Sequence, residues 1–270
     1  MTRIAKILSI AGSDPSGGAG IQADIKVFSA LGCYGMAAIT ALTAQNTLGV
    51  REVCLTPHKN LAAQIAAIFA DIQVDAVKIG MLGSAGNVET VAIQLRQAAA
   101  PNVVLDPVLI ATSGDSLGGD ELAAPMRQKL FPLARLVTPN LFESAVLAGT
   151  PVPQSLADMR AVAKKLHELG AKAALVKGGH LSGSESVDLL FDGATFEVFS
   201  SPRVATRNTH GTGCALSSAI AAFLGQGAEL KQAVGAAKAY LNGALAAADR
   251  LEVGQGHGPP HHFYQLWAES

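Results

Sequence analysis

Short apolar runs of strand length alternate along this chain with stretches of helical spacing, and nearly every apolar run stops at a polar or glycine-containing cluster. Ile4 to Ala11, Tyr34 to Leu42, Val50 to Leu55, Ala76 to Ile79, Val103 to Leu105, Leu136-Val137 and Ala173 to Val176 read as strands. Helical spacing runs over Ile21 to Phe28, Asn87 to Ala98 and Leu156 to Leu169, with shorter helices ending at Lys129 and carrying Glu143. Thr56-Pro57 supplies a cap and a first-turn proline for a helix to Ala70. Continuous apolar strands separated by helices specify an α/β fold, a mostly parallel sheet covered on both faces in three layers. Val187 to Phe191 and Phe196 to Phe199 flank Asp192-Gly193, which predicts an antiparallel hairpin at one edge. No linker, repeat or shift of composition interrupts the pattern, so residues 1–270 read as a single domain.

Charge and cysteine content exclude several classes. The formal net charge of −1 gives no electrostatic case for nucleic acid or an anionic membrane. Charges or glycines break every apolar run before membrane-spanning length, and the run Ile7 to Ala11 is too short for a signal-peptide core. Cys33, Cys54 and Cys214 are odd in number and widely spaced, which fits a reduced cytoplasm and rules out a cysteine-based zinc ribbon.

Chemistry enters at the strand ends. Gly12-Ser13-Asp14-Pro15-Ser16-Gly17-Gly18-Ala19-Gly20 joins the first strand to the first helix, the geometry of a ligand loop in α/β sheets. Within it Gly18 to Ala23 matches G-x-G-x-x-A, but no acidic residue follows between Asp24 and Glu52 to hold a ribose, and no Gly-Lys-Ser/Thr completes a Walker loop. Asn208-Thr209-His210-Gly211-Thr212-Gly213-Cys214 is a second glycine-rich turn, feeding an apolar helix. Its backbone N–H groups, at the positive end of a helix, suit a developing anion. Cys214 falls in the first turn, a position that lowers a thiol pKa. Asp106, Asn140 and Lys177 each follow a strand directly. Asp106 with Glu143 and Asn140 could hold a hard cation through oxygen ligands, and Lys177 could neutralise phosphate. Gln45 offers an amide donor and acceptor for a heterocycle edge, although from spacing alone it reads as a turn residue. Together these groups point to phosphoryl transfer.

The blocks Ala11 to Asp24, Thr43 to Thr47, Lys78 to Leu82, Asp106 to Val108, Thr138 to Glu143, Val176 to His180 and Asn208 to Cys214 resemble, in order and spacing, the hydroxymethylpyrimidine/phosphomethylpyrimidine kinases of the ribokinase-like superfamily. The tail Gly256-His257-Gly258-Pro259 resembles the C-terminus of the same family. The resemblance implies an α/β/α kinase, usually a cytoplasmic homodimer, that uses ATP and Mg²⁺. Its substrate would be a hydroxymethyl aminopyrimidine, phosphorylated twice in thiamine biosynthesis. It further implies that Gln45, helped by Asp24 and Gly12, reads the pyrimidine edge, and that Met81 and Val108 pack on the ring. Gly211, Thr212 and Gly213 would form the anion hole, and Cys214 would stand beside the reacting oxygen as its base. Lys177, Asn140 and Thr209 would lie on the ATP side, with Mg²⁺ near Asp106 and Glu143.

Three other readings compete. A pyridoxal kinase shares this fold and much of the motif set. A thiol hydrolase pairing Cys214 with His210 leaves Asp106, Lys177 and the N-terminal glycine loop unexplained. A binding module would hold Mg-ATP without transfer. Ser113 to Gly119, rich in glycine, is the expected lid.

Overall fold

The computed structural model describes residues 3–109, 119–179, 181 and 183–267. Apart from Gly119, the expected lid lies outside the described residues, as does His180.

Among the described residues, nine strands form one sheet. They are β1 (Lys6–Ser13), β2 (Tyr34–Asn46), β3 (Gly49–Leu55), β4 (Ala76–Ile79), β5 (Val103–Leu105), β6 (Leu136–Val137), β7 (Ala174–Lys177), β8 (Glu185–Phe191) and β9 (Phe196–Pro202). The spatial order is β3-β2-β1-β4-β5-β6-β7-β8-β9, and the six from β2 to β7 in that row run parallel. Chain order runs outward from β1 in both directions, which opens a crevice at the carboxyl ends of β1 and β4, where such sheets bind ligands.

Eight α-helices among the described residues cover the faces: α1 (Gly20–Ala30), α2 (His58–Asp71), α3 (Ala85–Gln97), α4 (Ala123–Lys129), α5 (Leu141–Ala148), α6 (Leu156–Glu168), α7 (Thr212–Gly225) and α8 (Leu230–Ala246). Successive strand side chains point to opposite faces. In β1, Leu8 and Ile10 therefore join one core, with Leu61 and Ile65 of α2 and Val88 and Val91 of α3. Ile7 joins the other, with Val27 and Phe28 of α1 and Ala219 and Ile220 of α7. The central strands β1, β4 and β5 show no alternation of buried and exposed residues because both of their faces are covered.

The hairpin at Asp192 forms as expected: β8 pairs antiparallel with β7 and β9, and Asp192 Oδ1 accepts from the N–H groups of Ala194 and Thr195. Three expectations are corrected. Thr43 to Asn46 does not close β2 but continues it as an edge ladder against β3, with a register shift at Ala44/Gln45. The second helix begins at His58, and Pro57 flanks it without a side-chain cap, so Thr56 does not cap it. Finally, α8 is a long helix in a stretch where the sequence reading placed no element.

Candidate active site

A cavity of about 920 Å³ opens along the carboxyl ends of β1, β2, β4, β5 and β7 and the N-terminus of α7. Of the residues expected in the site, Gly12, Gln45, Met81, Asp106, Val108, Asn140, Glu143, Lys177, Thr209, Gly211, Thr212, Gly213 and Cys214 all line it. Asp24 does not. It is fully buried beneath the cavity, where its carboxylate pairs with Lys78 Nζ at 2.9 Å and accepts from Ser9 Oγ at 2.6 Å and Ser218 Oγ at 2.7 Å. The expectation that Asp24 helps to read a ring edge is therefore corrected: its oxygens are spent on a sealed ionic cluster.

The N-terminus of α7 has no side-chain cap. The Thr212 N–H donates to the Thr209 carbonyl at 3.3 Å, and the N–H groups that follow it in the first turn, without a helical acceptor, suit an anion in the cavity. Gly211 precedes it with φ of 77°, and a Cβ there would strike the carbonyl of Gly18, so the two glycine loops close on each other only because both are bare. Gly213 has ordinary backbone, but a Cβ would lie 3.2 Å from Lys177 Nζ and 3.6 Å from Asp106 Oδ2.

Lys177 Nζ donates to Asp106 Oδ1 at 2.7 Å, and Thr138 and Ser217 hydroxyls donate to the same carboxylate. Burial pushes the Asp106 carboxyl up, but Lys177 and Lys78 overcome this and hold it below the ordinary range. Burial pulls Lys177 down, and Asp106 and Glu143 more than reverse it. Glu143 behaves differently: burial pushes it up to about 7, Lys177 opposes and Asp106 adds. Glu143 also closes a reciprocal cap on α5, its carboxylate accepting from the Asn140 N–H at 2.8 Å while Asn140 Oδ1 accepts from the Glu143 N–H at 2.8 Å. Both residues thus build the loop that carries them to the cavity.

Cys214 corrects a second expectation. Burial pushes its thiol up, Lys78 opposes, and Asp24 and Asp106 add to the rise. The position at the helix N-terminus does not bring the thiol below its ordinary range. His210 is not its partner either: His210 Nε2 lies 2.8 Å from Asp14 Oδ2 and 3.4 Å from Gln45 Nε2.

Lys78, Asp14 and the placement of His210 were missed by the sequence reading. Lys78 had a signal: a lone charge within Ala76-Val77-Lys78-Ile79 must find a buried counter-charge. Asp14 and His210 stand 196 residues apart, and nothing local announces their pairing.

Comparison with known proteins accords with this geometry. Residues 14–261 match the phosphomethylpyrimidine kinase family. A hydroxymethylpyrimidine/phosphomethylpyrimidine kinase of Rhizobium meliloti is 52% identical over 269 residues, covering 100% of each chain. An ADP complex of Bacillus subtilis pyridoxal kinase superposes with a TM-score of 0.89 at 39% identity, covering 97% of this chain and 99% of that one. A phosphomethylpyrimidine kinase of Clostridium difficile superposes with a TM-score of 0.79 at 41% identity, covering 89% and 99%. The fold is therefore ribokinase-like, and the chain belongs to the phosphomethylpyrimidine kinase family.

Proposed function

We propose that this kinase transfers the γ-phosphoryl group of ATP to 4-amino-5-hydroxymethyl-2-methylpyrimidine and then phosphorylates the monophosphate to the diphosphate, a step of thiamine biosynthesis. The observation that carries the reading is the meeting, in one cavity, of an uncapped helix N-terminus with Lys177, Asp106 and the Gln45 amide. Relatives of similar sequence bear the names of kinases for both the hydroxymethyl and phosphomethyl pyrimidines.

Gln45 would read the ring edge, with Met81, Val108 and Gly12 against the ring. The N–H groups at Gly211, Thr212 and Gly213 would stabilise charge spreading over the transferring phosphoryl oxygens. Lys177, Asn140 and Thr209 would face the nucleotide. Cys214 would accept the hydroxymethyl proton as that oxygen attacks phosphorus. Because it starts as a thiol, its accepting fraction rises with pH.

No group of three or more His, Cys, Asp or Glu side chains is set to hold a metal among the described residues. Asp106 and Glu143 nevertheless fit Mg²⁺ arriving with ATP, which takes one or two carboxylates and completes its shell with phosphate and water. Two carboxylates on one cavity, one of them pushed up to about 7 with the other adding to the rise, are a pair that a divalent cation would relieve. Bound there, Mg²⁺ would neutralise charge on the phosphates. We further read residues 1–270 as one kinase domain acting as a cytoplasmic homodimer.

The superposition on a pyridoxal kinase favours a pyridine ring as the second reading. Measuring kcat/KM with Mg-ATP for the hydroxymethylpyrimidine and for pyridoxal separates the two. The proposal expects the pyrimidine to be the better substrate by at least about tenfold. A preference for pyridoxal would replace it with the vitamin B6 reading.

A further inference from the structure

We infer that Asp14, acting through His210, and Thr43 hold the Gln45 amide in one orientation, oxygen toward His210 and NH2 toward Thr43, and that this lock selects an aminopyrimidine over its oxo analogue. The inference rests on the reading of Gln45 as the side chain that meets the ring.

The lock follows from counting protons. One end of the Gln45 amide lies 3.4 Å from His210 Nε2 and the other 3.2 Å from Thr43 Oγ1. His210 Nε2 is also 2.8 Å from the Asp14 carboxylate, which only accepts. Asp14 is held as a carboxylate: burial pushes it up, and hydrogen bonds from His210 and Ser16 more than reverse that. Its oxygens further accept from the N–H groups of Ser16 and Ala19, so the whole group is fixed in the glycine loop. His210 Nε2 must therefore carry a proton, whether the ring is neutral or charged. Thr43 Oγ1 lies 2.9 Å from the carbonyl of Ser13 and donates its single proton there.

Toward Gln45 this leaves on one side a protonated ring nitrogen, which has no lone pair to accept with and can only share with a second acceptor the proton it gives Asp14, and on the other a bare hydroxyl oxygen. An amide nitrogen facing His210 would set donor against donor, and an amide oxygen facing Thr43 would set lone pair against lone pair. A half-turn of the amide, which has the same outline either way, satisfies both. The second oxygen lone pair and the second N–H then remain for the cavity, in fixed order.

That order is chemically selective. A 4-aminopyrimidine presents an amino donor beside the N3 acceptor, which pairs with an amide C=O beside an N–H. The 4-oxo analogue in its N3–H form presents an acceptor beside a donor, the reverse. A free amide would turn to suit either; a locked one leaves a donor–donor and an acceptor–acceptor clash with the oxo ring. Asp14, His210 and Thr43 are thus positioning residues, acting on the substrate through Gln45.

The test is the ratio of kcat/KM for the hydroxymethyl aminopyrimidine to that for 5-hydroxymethyl-2-methylpyrimidin-4-one, with melting temperature as the control for folding. The parent should prefer the amino ring by at least about a hundredfold. His210→Leu should bring the ratio within about tenfold, and His210→Gln, whose amide can still donate to Asp14, should restore most of it. Thr43→Val, on the partly exposed β2 edge, should also lower the ratio and decides the matter if His210→Leu does not fold. A folded His210→Leu that keeps the parental ratio, while Gln45→Ala loses it, overturns the lock but leaves Gln45 as the ring reader. If the parent itself shows no preference and Gln45→Ala changes nothing, the reading of Gln45 fails, and the lock with it.

Discussion

Lys177 and Asp106 meet at 2.7 Å directly beneath the bare α-carbon of Gly213, so the glycine turn at the start of α7 lies against a buried ion pair. This places one positive charge, already committed to a carboxylate, beside the first turn of a helix. A phosphoryl group held there, as proposed, would meet Lys177 in place, with no side chain to reorganise.

The two glycines of that turn should respond differently to alanine. Gly211→Ala combines φ of 77° with a Cβ driven into the Gly18 carbonyl, so it should destabilise the fold by more than about 1 kcal/mol and lower activity with it. Gly213→Ala meets only the flexible end of Lys177 at 3.2 Å and should fold normally. Its methyl group would stand beside Lys177 in the turn proposed to hold the phosphoryl group, so kcat should fall by about tenfold or more at unchanged melting temperature. Calorimetry beside steady-state kinetics checks both.

Lys177→Met should be costly for stability as well as for activity. It leaves Asp106, 1% exposed, without its direct ion-pair partner and with only the more distant Lys78 charge and two hydroxyls to offset it. Breaking such a pair from one side costs about 3–5 kcal/mol. The double variant Lys177→Met/Asp106→Leu should recover much of the stability and none of the activity, measured by urea unfolding and by turnover.

As the proposed base, Cys214 should set the pH profile. With its thiol pushed up by burial, kcat for the parent should rise with pH through the neutral and alkaline range. Cys214→Ala should lower kcat by about 10²–10⁴-fold with little change in KM. Cys214→Asp supplies a base that is ionised at lower pH, and its kcat should be flat where the parental kcat rises. A parental kcat independent of pH from 6 to 9, roughly, argues against the base assignment.

Glu143 should make the free protein less stable as pH rises. Its folded pKa of about 7 exceeds the ordinary 4.5, so between these values the folded chain holds a proton that the unfolded chain has released. Stability from this group is fully present below about pH 4.5 and is lost as pH climbs through about 7. Glu143→Gln should therefore melt about 2 °C or more above the parent at pH 8 and lose that advantage near pH 4. Adding Mg-ATP should raise the parental melting temperature more than that of the variant.

The strand ends were legible because open α/β sheets put polar residues there for a reason, and Asp106, Asn140 and Lys177 all reach the cavity. Gln45 was less so. Its spacing reads as a turn, because it lies beyond the apolar run Tyr34 to Leu42, in the half-exposed end of β2 that pairs with β3. Asp24 was misplaced because a carboxylate on an amphipathic helix looks the same in sequence whether it faces a ligand or a buried lysine. The raised thiol of Cys214 was misread for a related reason. A helix N-terminus is visible in the chain, whereas the burial and the two carboxylates that oppose it come from other elements. The pairing of Asp14 with His210 exists only once β1 and α7 lie side by side.

The most direct measurement of the central claim is a charge-resolved product time course with the purified protein, Mg-ATP and 4-amino-5-hydroxymethyl-2-methylpyrimidine. The account predicts that the monophosphate accumulates first and is then converted to the diphosphate, with one ADP released at each step. Nucleotide left intact in the presence of the pyrimidine, or phosphate transferred to pyridoxal alone, would contradict it.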